Sequence, residues 1–307
     1  MSSQVTEAFV QQYNSNVMML SQQKGSRLEP AVRKETQKGK SQFFDRIGTV
    51  SAVLKTGRHS STPQLDTPHS RRMVTLADYE WADLVDDQDK IRMLIDPTSE
   101  YAMAAAWAFG RSKDDVIIAA ALGNALSGET GSTPVAHPNS QKYAANDGTN
   151  FSNLNVKTLA AVKRMLDAKE AEGRRYIACT GSQIESMLNQ TQVTSTDYNS
   201  VYALVKGEVN TFMGFDFIRL ERLNVTTSTT ASPTAGTVGA GSALTGTNRA
   251  CFAWTDSGLL LSTGEDFVTK MSERDDKGYA MQVYARMSIG GTRMEEEQVV
   301  EVICKEA

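Results

Sequence analysis

The sequence contains few of the residues on which disulfide scaffolds and metal sites depend. Three cysteines (Cys179, Cys251 and Cys304) occur among 307 residues. They are too few and too scattered for a disulfide framework or a metal knuckle, and this usage indicates a reducing compartment. The three histidines show no metal-ligand spacing among themselves. Neither a metal nor another cofactor is therefore expected.

Long apolar runs are also missing. No uncharged apolar run approaches ~18 residues, which excludes a transmembrane helix. No membrane partner is expected. Residues 1–13 lack a basic segment followed by an apolar core, so no secretory signal is expected. With 40% hydrophobic and 22% charged residues, the chain has the composition of a folded protein, long enough for one large domain or two ordinary ones.

Charge is divided unevenly along the chain. Residues 1–75 hold 11 Lys and Arg against 5 Asp and Glu, and the remainder holds 21 against 31, although the formal net charge is only −4. The division predicts a basic arm and an acidic body. A charge-complementary contact between subunits accounts for both parts, whereas direct nucleic-acid binding accounts for the basic part alone.

The N-terminal part contains too few apolar residues to fold by itself. Residues 1–42 are polar, which is typical of a flexible tail or of an arm that leans on an adjacent subunit. In residues 43–75, short apolar groups flank a basic segment rich in turn formers, and this pattern predicts a long two-stranded hairpin. Such a hairpin is marginal in isolation and usually packs on a partner.

The strongest helical pattern follows an acidic segment. Asp96 is a candidate N-cap with Pro97 at the first position, and apolar residues then recur at helical spacing as far as Gly128. Gly110 interrupts the pattern and Ser112 restarts it. The prediction is a long alanine-rich helix, or a broken pair of helices, packed against a sheet.

Helices and strands alternate in the middle of the chain. The patterns predict helices at about 155–172 and 182–189 and strands at 176–180 and 212–220, the last entered through Gly214. This order is typical of an α/β subdomain.

The C-terminal part is rich in strands. It begins after the uncharged segment 226–248, which predicts a flexible surface loop. Apolar residues alternate with period two over 279–289, a strand that Gly290 and Gly291 are expected to bend, and 299–304 forms a last strand.

An enzyme requires a constellation of reactive residues. Cys179 with one of His59, His69 or His137 would supply a thiol and a base. However, Cys179 lies inside an apolar strand, where a buried cysteine is expected. The stretch 128–133 resembles a phosphate loop but lacks the lysine and follows a helix. No enzymatic constellation emerges.

The order of these segments resembles that of the major capsid proteins of tailed bacteriophages, the Hong Kong 97 fold family. Four stretches carry the resemblance: Asp96–Asp115, Asn155–Ala178, Asp197–Asp216 and Ala280–Ile303. Each motif is weak alone, and their shared order covers about residues 40–304. One departure is Gly291 after Gly290, where the family usually has alanine.

The resemblance implies an α+β Hong Kong 97-like fold with an inserted axial α/β domain. Its expected parts are an N-terminal arm (1–42), an extended hairpin loop (43–76), a peripheral domain with the long helix (77–149 and 255–307) and the axial domain (150–254). Some family members cross-link through a lysine of the extended loop. Lys55 lies in that region, but nothing indicates its partner, so no cross-link is inferred.

The resemblance also implies a structural, non-enzymatic role. Copies would assemble into hexamers and pentamers of an icosahedral phage head around double-stranded DNA, which would touch the inner face without sequence specificity. A separate scaffolding protein, a portal and a decoration protein are implied partners, and assembly would take place in the host cytoplasm. An encapsulin-type nanocompartment shell and a cytosolic α/β enzyme using Cys179 remain as alternatives.

Contacts between subunits are predicted where the basic hairpin meets acidic surface of a neighbour. The candidate residues are Lys55, Arg58, Arg71, Arg72, Asp78, Asp83, Asp86 and Asp87.

Overall fold

The computed structural model describes residues 22–58, 61, 64–85, 98–146, 152–190, 211–226 and 247–306. Residues 1–21 of the predicted arm, residues 227–246 of the uncharged loop, and the predicted cap residues Asp96 and Pro97 lie outside these ranges. Within them, no helix has the length and apolar character needed to cross a membrane.

The described residues form helices and strands throughout the chain. The helices are α1 (Thr98–Leu122), α2 (Val156–Asp167) and α3 (Gly181–Leu188). The strands are β1 (Arg33–Thr36), β2 (Ser41–Ile47), β3 (His69–Thr75), β4 (Ala77–Val85), β5 (Ala125–Ser127), β6 (Thr133–Val135), β7 (Lys142–Ala144), β8 (Arg175–Cys179), β9 (Thr211–Phe212), β10 (Phe215–Arg219), β11 (Val225–Thr226), β12 (Thr247–Thr255), β13 (Leu259–Arg274), β14 (Ala280–Arg293) and β15 (Val299–Glu306).

The strands build three sheets in the described part of the chain. The central sheet has the order β7-β15-β12-β8-β10-β9, with β11 paired to β12. A second sheet has the order β1-β13-β14-β4, and a third has the order β2-β3-β5-β6. Parallel pairs, such as β8 with β10, occur beside antiparallel ones, such as β12 with β15. This is the predicted α+β class.

The chain divides into two compact units. The smaller unit contains residues 1–26, 78–112 and 265–288, and the larger unit contains 27–77, 113–264 and 289–307. These boundaries differ from those of the predicted domains, and β15, predicted to be peripheral, lies in the central sheet beside β12. The division into peripheral and axial domains stays a prediction.

The core of the larger unit forms around the central sheet. Leu159, Val162 and Leu166 of α2 are fully buried in it. The Asn155 side chain caps this helix by accepting a hydrogen bond from the Thr158 backbone N–H at 2.7 Å. The predicted start is therefore confirmed, whereas the helix ends at Asp167 rather than near residue 172.

Helix α1 is continuous through Gly110, so the alternative of a broken pair is wrong. A Cβ at Gly110 would lie 2.4 Å from the Gly25 carbonyl carbon and 2.7 Å from the Ser26 nitrogen. The glycine therefore admits close approach of another backbone segment within the smaller unit. The helix ends at Leu122, and 125–127 form β5 instead of continuing it to Gly128.

Replacing Gly110 by alanine is expected to destabilise the protein by about 1–3 kcal/mol, the usual cost of overpacking. Helix propensity alone predicts that alanine increases the free energy of unfolding by about 1 kcal/mol. The sign of the measured change therefore shows which of the two effects is larger. Thermal unfolding measures it. Gly57→Ala is the matched control, because a Cβ there meets no atom within 4 Å. Equal stability of both variants would contradict the close approach.

Of two other glycine-containing segments, the one at Gly214 differs from its prediction, whereas the bend at Gly290 and Gly291 stays a prediction. Gly214 has φ +86° and, with Met213 at +52°, forms the turn of a β9–β10 hairpin rather than part of one strand. Strand β14 continues through Gly290 and Gly291 to Arg293. A Cβ at Gly290 would lie 2.5 Å from the Thr75 carbonyl oxygen, so close packing explains this glycine.

Candidate inter-subunit surfaces

The predicted hairpin exists as the antiparallel pair of β2 and β3. Its register runs from Ser41 opposite Thr75 to Ile47 opposite His69, and β3 also pairs with β5. Beyond the paired residues, 48–58 and 64–68 are exposed throughout. We call residues 48–68 the hairpin tip.

Large apolar side chains of the hairpin are uncovered. Leu54 is 86% exposed and Ile47 72%, and Val50, Val53 and Leu65 are at least half exposed. Single exposed apolar residues are ordinary on a protein surface, but five on one hairpin indicate a surface that another molecule covers.

The predicted cationic contacts lie in different environments. Lys55 and Arg58 of the hairpin tip are exposed and form no ion pair with any residue of the described ranges. Arg71 is half-buried on β3, 3.2 Å from the Asp45 carboxylate, and its guanidinium lies 5.3 Å from the centre of the Phe43 ring. Among the described residues, Arg71 therefore has an ion-pair partner, whereas Lys55 and Arg58 have none.

Arg72 lies in the interior of the larger unit. Its side chain is 2% exposed and forms an ion pair with Glu296 of the same chain. Burial lowers the pKa of the guanidinium, and the nearby Glu296 carboxylate opposes that shift. Arg72 stays a predicted inter-subunit contact, but its position gives that prediction no support.

The acidic candidates are described only in part. Asp78 and Asp83 are exposed on β4. The Ser288 hydroxyl donates to Asp78, and Asp83 accepts a hydrogen bond from the Leu84 backbone N–H at 2.8 Å. Asp86 and Asp87 lie outside the described residues.

Sequence reasoning missed a buried arginine on β14. Arg293 is fully buried and donates to the carbonyl oxygens of Ala121 and Gly123, both at 2.9 Å, and of Val135 at 3.2 Å. It thereby satisfies carbonyls at the C-terminal end of α1. The alternation did not predict this burial, because both odd and even residues of β14 are buried after Ile289.

The candidate thiol chemistry finds no support in the structure. Cys179, Cys251 and Cys304 are fully buried in the central sheet. Burial raises the pKa of the Cys179 thiol well above its usual value, so it stays protonated and out of reach of a substrate. Among the described residues, no group of three or more His, Cys, Asp or Glu is placed to hold a metal ion.

Comparison with known proteins identifies the family. The family described as phage capsid protein matches residues 5–306, and the chain therefore belongs to it. A search of curated proteins finds no match.

Several solved structures with a similar fold are phage capsids. The fold is similar to the capsid of Ralstonia phage GP4, with a TM-score of 0.72 at 10% identity over 98% of this chain and 96% of that chain. It is also similar to the capsid of the cyanophage P-SCSP1u, with a TM-score of 0.71 at 17% identity over 99% and 95% of the two chains. The capsid of cyanophage Pam1 gives 0.71 at 14% identity over 98% and 97%. These similarities confirm the Hong Kong 97-like fold.

The protein is thus a structural capsid protein of the virion head that assembles in many copies into a shell, and it is not an enzyme. The nanocompartment and enzyme alternatives are not favoured.

Proposed function

We propose that this major capsid protein forms hexamers and pentamers of an icosahedral head around double-stranded DNA, which meets the inner face through non-specific contacts. Assembly takes place in the host cytoplasm with a separate scaffolding protein, a portal and a decoration protein. The observation that supports the proposal is the hairpin, whose large apolar side chains are exposed in the single chain. A neighbouring copy would cover them.

The hairpin has the chemistry of a bridge between subunits. Apolar burial supplies non-directional attraction, and the cations Lys55, Arg58 and Arg71 supply orientation toward acidic residues of a neighbour such as Asp78 and Asp83. A single exposed ion pair contributes only about 0–1 kcal/mol, but a shell repeats it many times. Weak individual contacts also allow misplaced subunits to dissociate before the shell closes.

Leu54→Asp is expected to abolish shell formation while leaving the subunit folded, because this side chain is 86% exposed and supports no core. Co-expression with the neighbouring head genes, followed by sedimentation and electron microscopy, measures the yield of polygonal particles. The wild type should give megadalton shells, and Leu54→Asp should give slowly sedimenting subunits with an unchanged unfolding temperature.

Ser51→Asp is the matched control, because it adds the same charge at an exposed polar position of the hairpin tip. It is expected to assemble better than Leu54→Asp. Normal shells from Leu54→Asp would contradict the bridging role of the hairpin, and a wild-type protein that stays a 33.5 kDa monomer beside its assembly partners would contradict the proposed function itself.

A further inference from the structure

Helix α2 carries three cations on its solvent side. Lys157 and Arg164 are exposed and Lys163 is half-buried. None of the three forms an ion pair with a residue in the described ranges, and residues 156–166 contain no carboxylate. The positive charge of this helix therefore stays uncompensated by its own chain as far as the structure describes it.

Nearby charges at the end of the helix are paired elsewhere. Asp167 lies 2.6 Å from Arg175, and Lys169 lies 2.7 Å from Glu297. Residues 76–307 hold 31 Asp and Glu against 21 Lys and Arg, so carboxylates are in excess in this part of the chain. Three cations of one helix without a carboxylate are an exception in such surroundings.

The position of Lys157 is also unfavourable for the helix itself. It is the second residue of α2, whose first turn contains no acidic residue. The N-terminus of a helix carries a partial positive charge, so a cation there lowers the stability of the helix. A departure from a local rule of stability, with no compensating ion pair among the described residues, is typical of a functional surface.

Lys157 and Arg164 lie on nearly the same side of the helix. The seven residues that separate them span two turns, about 10 Å along the helix axis. Ala160 is exposed and Ala161 is half-buried between them, so only methyl groups stand beside the two cations. Lys163 flanks the same side. We call Lys157, Lys163 and Arg164 the α2 cations.

A polyanion fits this surface better than a protein partner does. The cores of protein–protein interfaces are enriched in aromatic residues and methionine and depleted of lysine. The exposed residues of the helix from 156 to 166 are Lys157, Ala160 and Arg164, and none of them is a large apolar side chain. Attraction by charge alone favours contacts to phosphate oxygens, which carry no sequence information.

We propose that the α2 cations bind the phosphate backbone of packaged double-stranded DNA. The inference rests on the proposed function and adds to it which surface of the subunit meets the DNA. Each cation that neutralises a phosphate releases counterions from the DNA, so the affinity must fall with increasing salt.

Photochemical cross-linking tests the contact in filled heads. A benzophenone amino acid at position 160, which is exposed between the α2 cations, is expected to form a covalent adduct with DNA on irradiation. Empty shells carrying the same amino acid are the control and should give no DNA adduct. Filled heads that give no DNA adduct, or an adduct with another protein chain instead, would overturn the inference.

The salt dependence of DNA binding gives a second measurement. The triple variant Lys157→Gln, Lys163→Gln and Arg164→Gln is compared with the wild-type subunit for binding to a short DNA duplex. A plot of the logarithm of the binding constant against that of the salt concentration is expected to become less steep by roughly 0.9 for each cation, or about 2.7 for all three.

Lys270→Gln with Lys277→Gln is the matched control for this measurement. Both lysines are exposed in the smaller unit and form no ion pair with any residue that the structure describes. The control is expected to leave the slope unchanged. An unchanged slope in the triple variant, or an equal change per cation in the control, would overturn the inference.

Shell formation separates this inference from the proposed function. The triple variant is expected to give empty shells in wild-type yield and to keep its unfolding temperature, because the described chain gives none of its three cations an ion pair. A folded triple variant without shells would assign the surface to a contact between subunits; the inference would fall and the proposed function would stand. A wild type without shells would overturn both.

Discussion

Replacing Glu296 by leucine is expected to lower the free energy of unfolding by about 3–5 kcal/mol, the usual cost of leaving a buried charge without its partner. Glu296 forms the ion pair with Arg72, whose side chain is 2% exposed. Arg46 lies 3.7 Å and Arg293 4.0 Å from the same carboxylate. One carboxylate therefore compensates several guanidiniums. Chemical denaturation of the free subunit measures the loss.

The neighbouring residue provides the matched control. Glu297 pairs with Lys169 on the surface, where both side chains are more than 40% exposed, so Glu297→Gln is expected to cost at most about 1 kcal/mol. Adding Arg72→Met to Glu296→Leu is expected to recover part of the loss, because no uncompensated charge then remains at that position. Equal stabilities of Glu296→Leu and Glu297→Gln would show that Arg72 does not need its partner.

Acidification below about pH 6.5 is expected to destabilise the subunit through His137. This side chain is 5% exposed, and its Nε2 lies 3.2 Å from the Gln141 carbonyl oxygen. A carbonyl only accepts, so Nε2 carries the proton and Nδ1 is the unprotonated nitrogen. Burial, with the positive charges of Arg293 and then Lys142, lowers the pKa of His137 from 6.5 to about 3.

The direction of the effect follows from which state, folded or unfolded, binds the proton. The unfolded chain takes up a proton near pH 6.5, whereas the folded protein keeps His137 neutral down to about pH 3. The contribution of His137 to the free energy of unfolding is therefore fully present above pH 6.5. Below pH 6.5 it falls by up to about 1.4 kcal/mol per pH unit, which amounts to about 2 kcal/mol at pH 5. Lys142 itself lies 3.3 Å from the Glu301 carboxylate.

Denaturation of the wild type and of His137→Gln between pH 7.5 and 4.5 measures this slope. The variant is expected to lose less stability on acidification, whatever its stability at pH 7.5. His69→Gln, at an exposed position, is the matched control and should follow the wild type. Parallel curves for the wild type and His137→Gln would show that His137 is not held neutral.

Local patterns predicted much of the fold. The cap at Asn155 and the apolar face of α2 depend on neighbouring residues, and each has its predicted structure. The period-two alternation predicted over 279–289 holds for 283–289 of β14, whereas Tyr279 is exposed and Ala280 is buried. The hairpin also followed from two apolar groups around a turn-rich segment. The resemblance to the Hong Kong 97 fold depended on the order of such segments and is confirmed.

The buried charges could not be predicted in the same way. Arg72 was interpreted as a surface contact because arginine is rarely buried without a partner, and its partner Glu296 lies 224 residues away in the sequence. The role of Gly110 was equally hidden, because the backbone that approaches it, at Gly25, lies 85 residues away in the sequence.

The sequence by itself determined which segments become helices and strands, that no thiol–histidine or metal motif is formed by neighbouring residues, and which family the chain belongs to. Only the tertiary structure decided which charged side chains stay exposed to solvent and which are buried. Secondary structure depends on periodicity over a few residues, whereas the desolvation of Arg72, Arg293 and His137 depends on contacts between segments far apart in the sequence. The described residues of the hairpin tip stay exposed because no other described segment of the same chain packs against them.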